Sequence, residues 1–361
     1  MRLLDRIVLG EALRQTAFFA LVFLGLILVA AATPLLKQGA PPLAVLAFLP
    51  RQAALFALLA LPLAMVTAIL ATLGRMREDG ELVALRAAGI AAWRVALSTL
   101  PLAIALALFL ALAVHWWLPP LAGELLAGRQ ELVSQAVAAQ VERRRPILQE
   151  RNGMLAAHAV EGELLHGVFG VYRPDEGGLS VIYAPRARWV MDSGDEDEPP
   201  ALALELSEAI ALLRDAEGRV ATAQIPVLST RLPRARVHWQ DKADAMSSGE
   251  LLRRLRTATD ETPRARRQLR SYERAWHTRL MLPLSAFAFW GFACGLGLAM
   301  GRGNRLFAAC IGVVTVVGAL FPALVLAREV GEQLHIHAGI WVWPGPLAVG
   351  ALGAWLLWRQ R

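Results

Sequence analysis

The chain has 361 residues, 56% of them hydrophobic, a formal net charge of +7 and a mean hydropathy of +0.45, which excludes an ordinary soluble globular chain. Residues 119–279 hold 23 basic and 23 acidic residues, so the excess charge belongs to the apolar part and indicates membrane orientation rather than nucleic-acid binding. Cys294 and Cys310 both lie in apolar runs, which excludes a disulfide framework and a cysteine metal site.

A helix of about 20 residues crosses the ~30 Å hydrocarbon layer. Charge-poor runs of that length predict spans at 15–36, 52–73, 95–118, 280–300, 306–327 and 340–358. Arg2, Arg6 and Arg14 precede the first run, whose length and lack of a small-x-small site predict a retained span rather than a cleaved signal. Arg75, Arg77, Arg86 and Arg94 follow span two, Arg302 and Arg305 follow span four, and Arg359 and Arg361 end the chain. The alternate loops hold only Lys37, Arg51 and Arg328. The positive-inside rule therefore predicts two cytoplasmic termini and an insert outside the inner membrane. Lys37, Arg51 and Arg328 would lie at the outer mouth, where they suit either a lipid phosphate or simple interfacial anchoring.

Residues 75–90, between spans two and three, are too polar for the bilayer and too apolar for a free loop. At 100° per residue Glu78, Leu82, Leu85 and Gly89 share one face, with Arg77, Glu81, Ala84 and Ala88 beside it. Such a helix suits a partner's groove or, alternatively, the lipid surface, with Arg86 and Arg94 near headgroups.

Within the insert, residues 121–141 read as a helix stopped by Arg143, Arg144, Arg145 and Pro146. From about 150 to 240, period-two runs follow: Val168, Gly170 and Tyr172; Val181 and Tyr183; Ala187, Trp189 and Met191; Leu202, Leu204 and Leu206; Ala221, Ala223, Ile225 and Val227. Turn clusters at 174–178, 193–195 and 215–218 separate them and predict an antiparallel sandwich or jelly roll, although 201–213 also suits a short helix. Strict alternation places Val181, Tyr183 and Trp189 on one interior face. Ser247 and Glu250 form a capping box, and Thr262 with Pro263 starts a second helix running through Trp276 into span four.

The expected organisation is therefore 1–118 as spans one to three with a cytoplasmic helix at 75–90, 119–278 as the insert, and 279–361 as spans four to six. The chain carries no Walker A, HExxH, GxSxG or Cys-x-x-Cys pattern, and His335 with His337 is too sparse for a metal site. A membrane-embedded enzyme would need ionisable residues within the spans, and beyond His115 at a span end the runs hold nearly none.

Residues 74–90, with Arg75, Arg77, Glu78, Asp79, Glu81, Leu82, Leu85, Arg86 and Gly89, resemble the signature of the LptF/LptG permease family. Residues 4–11 and 273–285 extend the resemblance, as does the order of three spans, insert, three spans. The arginine-rich lead into span four is nearer the LptF half of that pair. The resemblance implies a permease of an ABC-type exporter that extracts lipopolysaccharide from the inner membrane. It also implies a homologous LptG-like permease, an LptB-like ATPase dimer that binds ATP and Mg, and LptC-like and LptA-like periplasmic proteins. The chain itself would bind no cofactor, and residues 75–90 would be the coupling helix, with Glu81 as its central contact. Family members carry basic residues at the outer end of span one; here only Lys37 follows an apolar Ala30 to Leu36. A regulator of the FtsX kind, with its usual four spans, fits six runs less well.

Overall fold

A computed structural model describes residues 2–37, 41–122, 124, 141, 146, 148–150, 153–161, 164–173, 178–192, 201–214, 219–231, 243–257, 263–300, 305–333 and 340–360. The contacts divide the chain into two units, Met1–Ala30 with Pro50–Glu124 and Asp241–Arg361, and Ala31–Leu49 with Leu125–Gln240. Residues 241–278 thus group with the helices rather than with the strands of the insert. The helix expected over 121–141 lies almost wholly outside the described residues, and residues 301–304 and 334–339, with His335 and His337, lie outside them altogether.

The helices are α1 (Arg2–Lys37), α2 (Pro42–Glu78), α3 (Glu81–Ala87), α4 (Ala92–Leu97), α5 (Leu100–Leu112), α6 (Ser248–Thr257), α7 (Pro263–Ala299), α8 (Arg305–Gln333) and α9 (Pro344–Trp358). Six stretches among the described residues are long and apolar enough to span a membrane: Leu3–Leu36, Pro42–Glu78, Ala92–Ala122, Gln268–Ala299, Phe307–Leu324 and Ile340–Trp358. Most outrun the apolar runs that predict them, because the backbone ladder continues into polar sequence that water can solvate. Helix α7 starts at Pro263, a first-turn position where the missing proline N–H costs no hydrogen bond. The Ser247 hydroxyl accepts from the Glu250 amide at 3.3 Å, so the predicted cap opens α6.

Apolar surface gains little by leaving lipid for a helix neighbour, so close approach of small residues must hold a bundle in a membrane together. Here α7 and α9 meet through glycine. A Cβ on Gly353 would stand 2.7 Å from the Gly291 carbonyl carbon, and one on Gly295 would stand 2.6 Å from Leu356 Cβ. Met65, Ile69, Leu70 and Leu73 of α2 are fully buried in the same core with Phe289 and Phe292 of α7. Thr99 joins the layers: it accepts from the Trp290 indole at 2.9 Å, and its hydroxyl donates to the Ala96 carbonyl at 2.8 Å.

The second unit holds β1 (Leu148–Glu150), β2 (Gly153–Ala156), β3 (Ala159–Glu161), β4 (Leu164–Tyr172), β5 (Leu179–Asp192), β6 (Ala201–Arg214) and β7 (Val220–Arg231). They form one antiparallel meander, β1-β2-β4-β5-β6-β7, with β3 also paired to β4. Residues 201–213 are strand, since β6 pairs along its length with β5 and β7.

A crease crosses this sheet. By register Gly167 faces Pro185, Pro185 faces Glu208, and Glu208 faces Pro226, and each ladder is interrupted there. Gly167 and Glu208 have φ of 61° and 55°, while the two prolines have no N–H to donate. The buried residues on either side of this line are three apart instead of two or four: Leu165 and Val168, Ala184 and Ala187, Leu206 and Ala209. The alternation therefore changes phase at the same point in each strand, and both halves contribute to one core.

Candidate functional site

The segment between the second and third spans is two helical pieces rather than one helix over 75–90. Helix α2 runs to Glu78, Gly80 turns the chain at φ 77°, α3 occupies Glu81–Ala87, and Gly89 turns it again at φ 80°. Both turns need the left-handed region, which glycine enters without a Cβ penalty. The face expected to join Glu78, Leu82, Leu85 and Gly89 is therefore interrupted. Leu82 is 3% exposed and anchors α3 in the helical core, with Leu85 and Ile90 packed against that core. Glu78, Asp79, Glu81, Val83, Ala84, Arg86, Ala88 and Gly89 are exposed, so carboxylates and small side chains share the outer surface.

The arginines of this segment divide their work. Arg75 Nη1 lies 3.3 Å from Asp79 Oδ2 and 3.5 Å from Glu81 Oε1, so one guanidinium spans the Gly80 turn. All three side chains are substantially exposed, and the pairing contributes little to stability. Its effect is to orient Glu81. Arg77 points inward and donates from Nη2 to the Leu298 carbonyl, in the last turn of α7. A cation there satisfies one of the carbonyls that every helix leaves open at its C-terminus. Arg77, expected on the docking face, instead ties α2 to α7.

A second polar constellation escapes a search for ionisable residues within the spans. Arg279 of α7 is only 2% exposed. Its Nη1 donates to Ser248 Oγ at 2.9 Å, and its Nη2 reaches the carbonyls of Met246 at 2.7 Å, Asp244 at 3.0 Å and Ala243 at 3.4 Å. Ser248 Oγ also lies 2.8 Å from His115 Nδ1. Ser248 accepts from Arg279 and keeps both its proton and a second lone pair for Nδ1, so one hydroxyl links the guanidinium to the imidazole. His115 sits in a π-helical turn, Ala113–Trp117, whose extra residue re-aims the side chain. The sequence signal was an arginine between Trp276 and the apolar residues 280–282, counted as a flank of span four although the helix carries it inside.

On the sheet, Val181 and Tyr183 lie on the face opposite Ile182 and Ala184, which belong to the packed core. Tyr183 is 47% exposed. It faces Phe169 on one side and Ile210 on the other, while Val181 faces Val171 and Leu212. Together these residues form an open apolar face. Trp189 lies beyond the crease, paired by register with Leu204, and its side chain falls outside the described residues. The strict alternation expected from Val181 through Tyr183 does not carry past Pro185, where the buried positions pass from Ala184 to Ala187.

A model of the family described as the lipopolysaccharide export system permease LptF/LptG matches residues 6–359. The chain belongs to this family. Among curated individual proteins, none matches it. Membership makes the chain a transmembrane permease component of lipopolysaccharide export, in agreement with six candidate spans and an antiparallel sheet between the third and fourth. Of the basic residues considered for this permease's lipid contacts, Arg51 is exposed on α2. Lys37 ends α1 and Arg328 lies in α8, but their side chains fall outside the described residues.

Proposed function

We propose that the chain is the LptF-like permease of an ABC-type exporter in the bacterial inner membrane. It would pair with an LptG-like homologue and draw its energy from an LptB-like ATPase dimer that holds ATP and Mg. Both termini and α3 face the cytoplasm in this reading, and the insert faces the periplasm. The arginine distribution supports that orientation. Lipopolysaccharide leaves the membrane past the outer ends of the spans, where Lys37, Arg51 and Arg328 are available to its phosphates. It continues along the apolar face of a jelly-roll-like sheet towards LptC-like and LptA-like proteins.

The observation that carries the reading is the form of α3. It is anchored by Leu82, bracketed by two glycine turns, and presents Glu81 beside Ala84 and Ala88. A carboxylate amid small side chains lets a partner's arginine approach and make charge-assisted hydrogen bonds. With α3 fixed to the bundle, a push on that face becomes a displacement of α2 and α4. The test is Glu81→Ala in the reconstituted exporter, with Glu78→Ala as comparison. Glu81→Ala is expected to leave insertion intact and to lower lipopolysaccharide release per ATP hydrolysed by roughly tenfold, the loss of one charge-assisted contact. Glu78→Ala should do less. Wild-type release by Glu81→Ala would refute the coupling role.

A further inference from the structure

Where α1 meets the start of the third span, Asp5, Arg6, Leu9, Arg94, Leu97, Ser98 and Pro101 line a cavity of about 230 Å³. We propose that this cavity seats the phosphate of an anionic phospholipid, gripped by Arg6 and Arg94. The site is separate from the lipopolysaccharide path. Only its leaflet, the cytoplasmic one, rests on the orientation proposed above.

The charges favour an anion. Two guanidiniums and one carboxylate line the cavity, and that carboxylate is already engaged. The Ser98 hydroxyl, almost fully buried, donates to Asp5 Oδ1 at 2.5 Å. Arg94 Nη2 stands 3.9 Å from Asp5 Oδ2, near enough for charge attraction and too far for a hydrogen bond. Among the described residues, the Arg94 guanidinium donates no hydrogen bond and Arg6 has neither an ion pair nor a hydrogen bond. Two planar donors with unused N–H groups beside one cavity match the oxygens of a phosphate.

The surroundings favour a lipid over a free ion. Leu9 and Leu97 form the apolar part of the cavity lining. From Pro101 an exposed apolar stripe continues along α5 through Ile104 and Leu108, spaced three and four residues apart, and a shorter one runs along α1 through Leu13. Acyl chains would lie along these stripes while the headgroup occupies the cavity. Trp93, 40% exposed next to Arg94, is the residue type that settles at the headgroup level.

The test uses the permease in its membrane complex, stripped of lipid in detergent and titrated with phosphatidylglycerol or phosphatidylcholine, with retained lipid counted by native mass spectrometry. The wild type should keep one phosphatidylglycerol that Arg6→Gln binds roughly tenfold more weakly, as expected for one charge-assisted donor. Arg6 is exposed, so the variant should fold normally. The control is Arg14→Gln, whose arginine side chain is 81% exposed and lies outside the cavity; it should retain lipid like the wild type. Equal loss in Arg14→Gln would mean diffuse surface attraction and overturn the site. Equal retention of phosphatidylcholine, or no loss in Arg6→Gln, would overturn it as well. Displacement of the lipid by excess inorganic phosphate would assign the cavity to a free anion and overturn the lipid.

Discussion

Arg279→Met tests whether the buried guanidinium holds the start of α6 in place. The substitution keeps an unbranched, apolar side chain in α7 but removes donors to Ser248 Oγ and to the carbonyls of Ala243, Asp244 and Met246. A buried acceptor left without its donor costs about 1–3 kcal/mol, and a hydrogen bond to a charged group contributes about 1.5–3 kcal/mol. Asp244 and Met246 are only half-buried, so water can replace part of what is lost. The middle of that range, about 2 kcal/mol, is the appropriate figure, roughly thirtyfold in a local opening equilibrium. Amide hydrogen exchange of the whole protein in lipid nanodiscs should show this as faster exchange confined to residues 243–257. Arg279→Lys should fall between the two, because an ammonium cannot span three carbonyls and a hydroxyl as a fork does. Unchanged exchange across 243–257 in a folded Arg279→Met protein would refute the argument.

Two further outcomes follow from packing. Gly353→Ala should lower the thermal midpoint of the detergent-solubilised protein, since its Cβ would stand 2.7 Å from the Gly291 backbone; forcing the helices apart costs about 1–3 kcal/mol. Gly318→Ala, which meets nothing within 4 Å, should not, and equal midpoints would contradict the glycine contact between α7 and α9. A photo-crosslinker at Tyr183 should capture lipid in the working exporter while one at Ala184 captures protein, because Tyr183 lies on the open face and Ala184 in the core. The reverse pattern would show that the substrate uses the other face.

The spans were legible because a charge-free run of sufficient length has few alternatives to a helix in lipid. Their ends were not, since hydrogen bonding carries α1 back to Arg2 and α2 on to Glu78 in sequence with no apolar signature. The helical wheel over 75–90 assumes 100° per residue, and Gly80 and Gly89 break that assumption at φ values only the backbone reveals. The partners of Arg77 and Arg279 were hidden for another reason. Both bind backbone carbonyls, Leu298 in one case and Ala243, Asp244 and Met246 in the other, and any residue type supplies a carbonyl.

The crease shows why alternation identified the strands but not the change of phase within them. Singly, Gly167, Pro185, Glu208 and Pro226 read as an ordinary glycine, an ordinary glutamate and two prolines that weaken a strand. Register brings them into one line across four strands, and only there does each residue's refusal of regular pairing coincide with its neighbours'. If a single strand changed phase, its core residues would turn outward while its neighbours' stayed in. Because all four change together, Leu165, Ala187 and Leu206 remain with Val168, Ala184 and Ala209 in one core. The sheet changes phase there without losing its buried side, and the face carrying Phe169, Tyr183 and Ile210 stays open beside the crease. Replacing Pro185 alone would therefore leave the change of phase in place, since Gly167 and Glu208 still hold the two flanking strands to it.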